Sequence, residues 1–262
     1  MPTELERALA FEQGLRARCA ERIVPFRFGR AYFNDTFARV WDLNLLVVDG
    51  PREVDPGELA AEAELLHTDA GHMHRRAVVT DDRVGSELER FFRRLGWRID
   101  RELVMAYRGK GERTADHGGV AEVARDDLLP LRTETARTEA WATDDEVVRE
   151  VVEAGALWEA AGNARYFAAQ LDGAPVSGAE LYSDGRTAQV EDVVTLPAHR
   201  GKGYASAVVA RAVEEAVATG HTLVFLTADD ADWPKELYGR LGFEPIGRTW
   251  SFLRTPVLVA PD

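Results

Sequence analysis

Two rhythms of apolar and polar positions run along this chain of 262 residues. Between 204 and 219, Ala205, Val208, Val209, Ala212, Val213, Ala216 and Val217 recur with the 3.6-residue period of a helix, and Gly220 follows as a stop. The same period predicts helices over 3–20, 56–71, 86–97, most of 126–160, and 233–243, the last with Pro234 near its first turn. Short apolar and β-branched runs predict strands over 42–50, 76–82, 101–109, 120–125, 164–173, 174–185, 187–196, 222–230 and 249–254. Asp172–Gly173 between two of these predicts a tight hairpin.

The pattern is interrupted once and then restarts. The stretch "GKGERTADHGG" at 109–119 is polar and glycine-rich without apolar periodicity, and it predicts a linker between segments 1–112 and 118–262. The two segments match at an offset of 146 residues, the distance from Arg94 to Arg240. "FFRRLGW" at 91–97 then lies over "LYGRLGF" at 237–243, "AVVT" at 77–80 over "LVFL" at 223–226, and Gly57 over Gly203. An internal repeat is the expectation.

Composition narrows the classes. With 45 acidic and 32 Lys or Arg residues the formal net charge is −13, which argues against a general nucleic-acid binder and favours cationic partners. No segment approaches the roughly 20 apolar residues that span a bilayer. The N-terminus, with early acids and no long apolar stretch, does not resemble a secretory signal. The one cysteine, Cys19, lies in a polar helical pattern and reads as a structural thiol, so a cytoplasmic protein is expected. His67, His72 and His74 are spaced as metal ligands can be, but without cysteine or an ordered carboxylate pattern they read as solvated loop residues; no metal is expected.

The densest chemistry is in "TLPAHRGKGYASAVV", residues 195–209. A strand runs into a glycine-rich turn and then into a helix N-terminus, where backbone N–H groups are free and the helix dipole favours an anion. Gly201 and Gly203 let that backbone approach phosphate oxygens, Arg200 and Lys202 add positive charge, and Tyr204, Ala205 and Ser206 open the helix. It is not a nucleoside-triphosphate P-loop, because Lys202 is followed by Gly203 rather than Ser or Thr; nor is it G-x-G-x-x-G, because Ser206 takes the third glycine's place.

These residues resemble the acyl-coenzyme A motif of the GNAT acetyltransferase superfamily, [QR]-x-x-G-x-[GA], met by Arg200, Gly203 and Ala205. "ELYGRLGF", with Tyr238 35 residues beyond Gly203, is similar to the family's second motif. The likeness covers 118–256 and extends more weakly to 28–108. It implies an α/β fold of two GNAT-like domains, each a mixed central sheet flanked by helices. In 118–262 it implies a gap between the fourth and fifth strands, with the pantetheine arm of acetyl-coenzyme A paired to Val193, Val194 and Thr195 and its pyrophosphate on the amides of 201–206. In 1–112, Val54, Asp55, Pro56 and Gly57 stand at the loop positions; an acid replaces one glycine and proline removes a donor, so a degenerate domain without coenzyme binding is expected.

Acetyl transfer to an amine needs a polarised carbonyl, a neutral amine and a proton for the departing sulfur. Tyr238 falls where the family places its general acid, with Phe92 as its repeat counterpart; the other reading is a packing aromatic. Glu191, preferred to Asp192 as the acceptor of the amine proton, shares a strand face with Val193 and Thr195. Asp230 and Asp232 follow the next strand as coenzyme contacts or helix caps, and Trp141 and Trp158 as acceptor wall or core. The resemblance thus implies an N-acetyltransferase using acetyl-coenzyme A and a small-molecule or peptide amine, without nucleic acid or membrane. A non-catalytic acyl-coenzyme A-binding regulatory module and an acidic interaction protein remain open beside it.

Overall fold

The computed structural model describes residues 2–50, 53–109, 111 and 119–255; most of the expected linker lies outside them. In chain order the elements are α1 (Glu4–Cys19), β1 (Arg22–Phe26), β2 (Gly29–Phe33), β3 (Leu45–Val48), α2 (Pro56–Asp69), β4 (Arg75–Val79), α3 (Asp82–Arg94), β5 (Arg98–Tyr107), β6 (Val120–Val123), α4 (Arg125–Ala136), α5 (Asp145–Gly162), β7 (Arg165–Leu171), β8 (Ala174–Ser183), β9 (Thr187–Thr195), α6 (Tyr204–Ala218), β10 (Leu223–Asp229), α7 (Pro234–Arg240) and β11 (Phe243–Arg254). Shifted by 146 residues, β1 to β5 fall on β7 to β11, and α2 and α3 fall on α6 and α7. The repeat is therefore a repeat of structure, β-β-β-α-β-α-β twice.

The chain forms two compact units, Met1–Leu15 with Leu103–Ile246, and Arg16–Glu102 with Gly247–Asp262. These are not the consecutive segments 1–112 and 118–262. The first helix and residues 103 onward join the later unit, and the last strand crosses to the earlier one. A repeat offset compares one stretch with another; it carries no information on which core a terminal element enters.

In the unit built mainly from 16–102, β1-β2-β3-β4-β11 lie side by side. Trp250 to Arg254 pair antiparallel with β4. Phe28, Phe33, Leu59, Leu88, Phe92 and Phe252 fill its core between sheet and helices. The β1–β2 hairpin turns through Arg27 and Phe28, which explains why the sequence pattern did not predict it: neither Gly nor Asn marks the turn.

In the unit built from 103–246 the strand order is β5-β10-β9-β8-β7-β6. Asp172 and Gly173 take positive φ (51° and 82°) and make the β7–β8 hairpin. The core forms where Val208, Val209, Ala212, Val213 and Ala216 of α6 press on Phe167, Leu181, Val190 and Leu226. Burying one such Val or Leu side chain contributes about 1.5–3 kcal/mol. Val217, expected in that stripe, is exposed instead. The helical region 126–160 is broken into α4 and α5 by the turns around Thr138–Thr143.

Candidate active site

Two features of the 103–246 unit converge on the glycine loop. β10 pairs with β9 in parallel at Thr187, Ala188 and Gln189; beyond them the rest of β9 has no ladder to β10. A gap therefore opens between the two strands beyond Gln189 of β9 and Phe225 of β10. At its head a short 3-10 turn, Pro197–His199, leads into Arg200, whose Nε donates to the Thr195 carbonyl at 3.2 Å. Gly201 (φ +75°) and Gly203 (φ +88°) hold the left-handed turn that a side chain would strain, and a Cβ at either would meet nothing within 4 Å. Gly203 is the N-cap of α6 and supplies no side-chain cap, so the N–H groups of Tyr204, Ala205 and Ser206 are left for another acceptor. Lys202 is exposed beside them.

The second strand of the site departs from simple alternation. Against β8, Glu191 lies opposite Glu180 and Val194 opposite Gly178, so β9 carries one extra residue there. Asp192 takes φ +47° at this bulge. Val190 and Val193 both pack toward α6, whereas Val194 packs with Leu128 and Leu131 of α4. The inserted residue thus turns Glu191 away from the face of Val193 and Thr195, correcting the alternation-based expectation. Thr195 is tied to β8 through its Oγ1, 2.8 Å from Ser177 Oγ, while that same hydroxyl donates to the Val194 carbonyl.

The bulge is held from behind by a buried arginine that the sequence did not single out. Arg132 of α4 donates from Nη1 to Glu159 at 2.7 Å and from Nε to Asp192 at 2.9 Å, and it also pairs with Glu180. One guanidinium thus binds α5, β8 and β9 to α4. Asp192 is held in this pair, and burial raises its pKa against the pull of Arg132.

Tyr238 sits in α7, buried in the cluster of Val208, Leu226 and Phe243. The residue is 9% exposed. Burial pushes its pKa up to about 12, and the Glu191 carboxylate adds to the shift. The two candidate catalytic groups are therefore within electrostatic reach of each other, and the phenol keeps its proton at neutral pH. Asp232 does not cap α7: it accepts from the N–H of Trp233, while Asp230 pairs with Lys235.

The pattern of strands, loop and bulge is matched in sequence. Residues 130–243 fit the profile of the acetyltransferase (GNAT) family. That segment is a GNAT domain. A conserved protein of unknown function from Staphylococcus epidermidis superposes at a TM-score of 0.71 and 16% identity, over 90% of this chain and 94% of its own. A GCN5-related N-acetyltransferase from Kribbella flavida gives 0.64 at 23% identity, over 98% and 96%. A tandem GNAT protein from the clavulanic acid biosynthesis pathway gives 0.54 at 17%, over 84% and 74%. At such identities the likeness is one of fold. A search of curated protein sequences returns no match.

The residues outside the GNAT site divide clearly. Cys19 is buried, and desolvation raises its thiol to about 12, which suits a structural role. His67, His72 and His74 are not solvated loop residues: they are 0%, 4% and 2% exposed, with ring centroids 4.9–5.6 Å apart. Among the described residues no group of three His, Cys, Asp or Glu could hold a metal ion. Among the described residues no helix is long and apolar enough to cross a membrane. Trp141 and Trp158 are both half-buried.

Proposed function

We propose that this chain is an N-acetyltransferase that moves an acetyl group from acetyl-coenzyme A to an amine by direct attack in a ternary complex. The site lies in the unit built from 103–246, within residues 118–262, and the unit built mainly from 16–102 binds no coenzyme. The observation that carries the reading is the parting of β9 and β10 beyond Gln189, directly below an α6 N-terminus that has no side-chain cap. An extended arm bearing amides fits between strands that have backbone groups to offer, and a pyrophosphate fits N–H groups at a helix start.

Acetyl-coenzyme A supplies the activated thioester. Val193, Val194 and Thr195 would pair with its pantetheine amides, and Arg200 to Ser206 would hold its phosphates. Backbone N–H groups near Val194 polarise the thioester carbonyl. Glu191 takes the proton that the amine nitrogen loses as it gains the acyl carbon. The Tyr238 hydroxyl supplies the proton that the sulfur gains as it loses that carbon. The raised pKa of Tyr238 keeps this donor charged with its proton across the neutral range. A net charge of −13 favours an acceptor that arrives as a cation.

Calorimetric titration with acetyl-coenzyme A tests the reading, with saturable binding at one per chain expected. Tyr238→Phe should retain that binding and lower turnover about 100-fold, the scale of a lost general acid. Binding without turnover on any amine would point to the non-catalytic regulatory module, and absence of binding at millimolar ligand would remove the coenzyme site altogether.

A further inference from the structure

The N-terminal helix α1 is anchored on the GNAT-bearing unit along one face. Glu4 accepts two bonds from Arg108, at 2.8 and 2.7 Å. Arg7 donates to Thr222 Oγ1 at 2.7 Å and to Thr187 Oγ1 at 3.3 Å. Phe11 meets the ring of Phe225 edge-on at 5.8 Å. These positions, 4, 7 and 11, recur at three- and four-residue steps, and Glu12, four residues after the buried Ala8, borders the same stripe.

Glu12 reaches a buried amide. Gln189 of β9 is 3% exposed, and its Nε2 donates both to Glu12 Oε1, at 3.3 Å, and to Glu191 Oε1. A primary amide has two N–H donors, and here each faces a carboxylate. The two acids also decide which way round the amide sits, since a flipped group would turn its oxygen toward two anions. Gln189 Oε1 is buried and, among the described residues, accepts nothing. Such an orphaned acceptor costs stability. An apolar side chain at 189 would avoid that loss, and it would remove the bond from this amide to Glu191.

We propose that Gln189 is a positioning residue for Glu191, and that Glu12 of the N-terminal helix fixes the amide that does the positioning. The proposal rests on the reading of Glu191 as the acceptor of the amine proton. It gives α1 a part in the reaction although the helix lies outside the matched family segment. The amide aims one carboxylate oxygen, and Glu12 prevents the amide from rotating away. No proton passes through Gln189.

Steady-state kinetics with acetyl-coenzyme A and spermidine as the probe amine, alongside thermal melting, tests this. Gln189→Leu and Glu12→Ala should each lower kcat about tenfold, with KM for acetyl-coenzyme A within twofold, because misaimed catalytic groups lose rate rather than binding. Glu12→Gln keeps an acceptor oxygen and should recover kcat to within about twofold, a rescue that mere helix docking would not produce. Unchanged kcat in Gln189→Leu, where Glu191→Gln is impaired, overturns the positioning role and leaves the base intact. Unchanged kcat in Glu191→Gln overturns the base itself. Should the wild-type protein not turn over spermidine, NMR exchange of the Gln189 side-chain amide decides: about tenfold faster exchange in Glu12→Ala, but not in Glu12→Gln, supports the clamp, and equal rates in all three proteins overturn it.

Discussion

The two units repeat one order of elements and differ at the place where a coenzyme would lie. In the 103–246 unit β9 and β10 part after Gln189. In the 16–102 unit β3 and β4 stay paired through Leu46, Val47 and Val48, and the Thr80 N–H continues the ladder onto the Val48 carbonyl. Leu46 to Val48 are the repeat counterparts of residues 192–194, so the ladder is closed there at the same positions that are open in its partner. The helix starts differ as well. Asp55 accepts from Glu58 N–H at 2.9 Å and caps α2 with a carboxylate, whereas α6 begins at an uncapped glycine. Phe92 fills the core of the one unit where Tyr238 brings a hydroxyl to the other. A fold is thus kept while three local features differ: the position of the parallel ladder, an internal anion and a missing hydroxyl.

The largest expected effect comes from what the 16–102 unit has buried instead. His67, His72 and His74 form a cluster against Phe33 and Trp41, and both nitrogens of His72 and Nδ1 of His67 are buried without partners among the described residues. Desolvation lowers His67 from 6.5 to about 3 and His74 to about 4, with the neighbouring histidines and Arg75 adding to both; the hydrogen bond with the Arg76 backbone opposes it at His67, and Asp35 opposes the lowering at His72. Since the folded values lie below the unfolded ones, stability is full above pH 6.5 and falls as pH drops toward 4. At pH 5 the loss is about 2 kcal/mol for each of His67 and His74. Glu64, held down to about 2 by Arg75 and Arg254, stays ionised throughout that window and does not compete. Hydrogen exchange at pH 7 and pH 5 should show amides of 59–79 losing protection far more than those of 205–226. Equal losses in the two units would mean the histidines take up protons without unfolding.

Next in size is the import of one unit's cap into the other. Gly203→Asp places a carboxylate at the start of α6, as Asp55 does for α2, and it also forces a side chain into φ +88°. The anion then competes for the N–H groups and repels phosphate. Affinity for acetyl-coenzyme A should fall more than 100-fold, readable by calorimetry, equivalent to a loss of about 3 kcal/mol. Retained affinity would show that the pyrophosphate is held elsewhere than on α6.

Much of this difference was legible in the residues and some of it was not. Gly201, Gly203 and the Arg200–Lys202 pair announce an anion-binding turn because their chemistry is local, and so is the Asp55–Pro56 pair that replaces it. The offset of 146 residues gave the order of elements, because helices and strands follow their own periods. What lay beyond the pattern depends on tertiary partners. A bulge at Asp192 adds one residue to a strand and reverses every facing assignment after it, with no glycine to mark the place. The burial of three histidines follows from what packs over them. Glu12 and Gln189 are 177 residues apart, and only the docking of α1 brings them together.

The smallest expected effect is the most informative about why the 16–102 unit should lack a coenzyme site. Asp55→Gly removes the internal anion and leaves α2 beginning at a glycine, as α6 does. If the carboxylate alone closed that position, a second acetyl-coenzyme A would bind per chain. But Pro56 still withholds one N–H donor, and the β3–β4 ladder still leaves no gap for the pantetheine arm. The titration should therefore stay at one per chain. The cost should appear only in stability: replacing an Asp N-cap by Gly loses a few tenths of a kcal/mol, visible as a slight fall in the melting temperature. A second saturable site would show that the ladder opens when the anion leaves, and that the contrast between the units rests on one side chain.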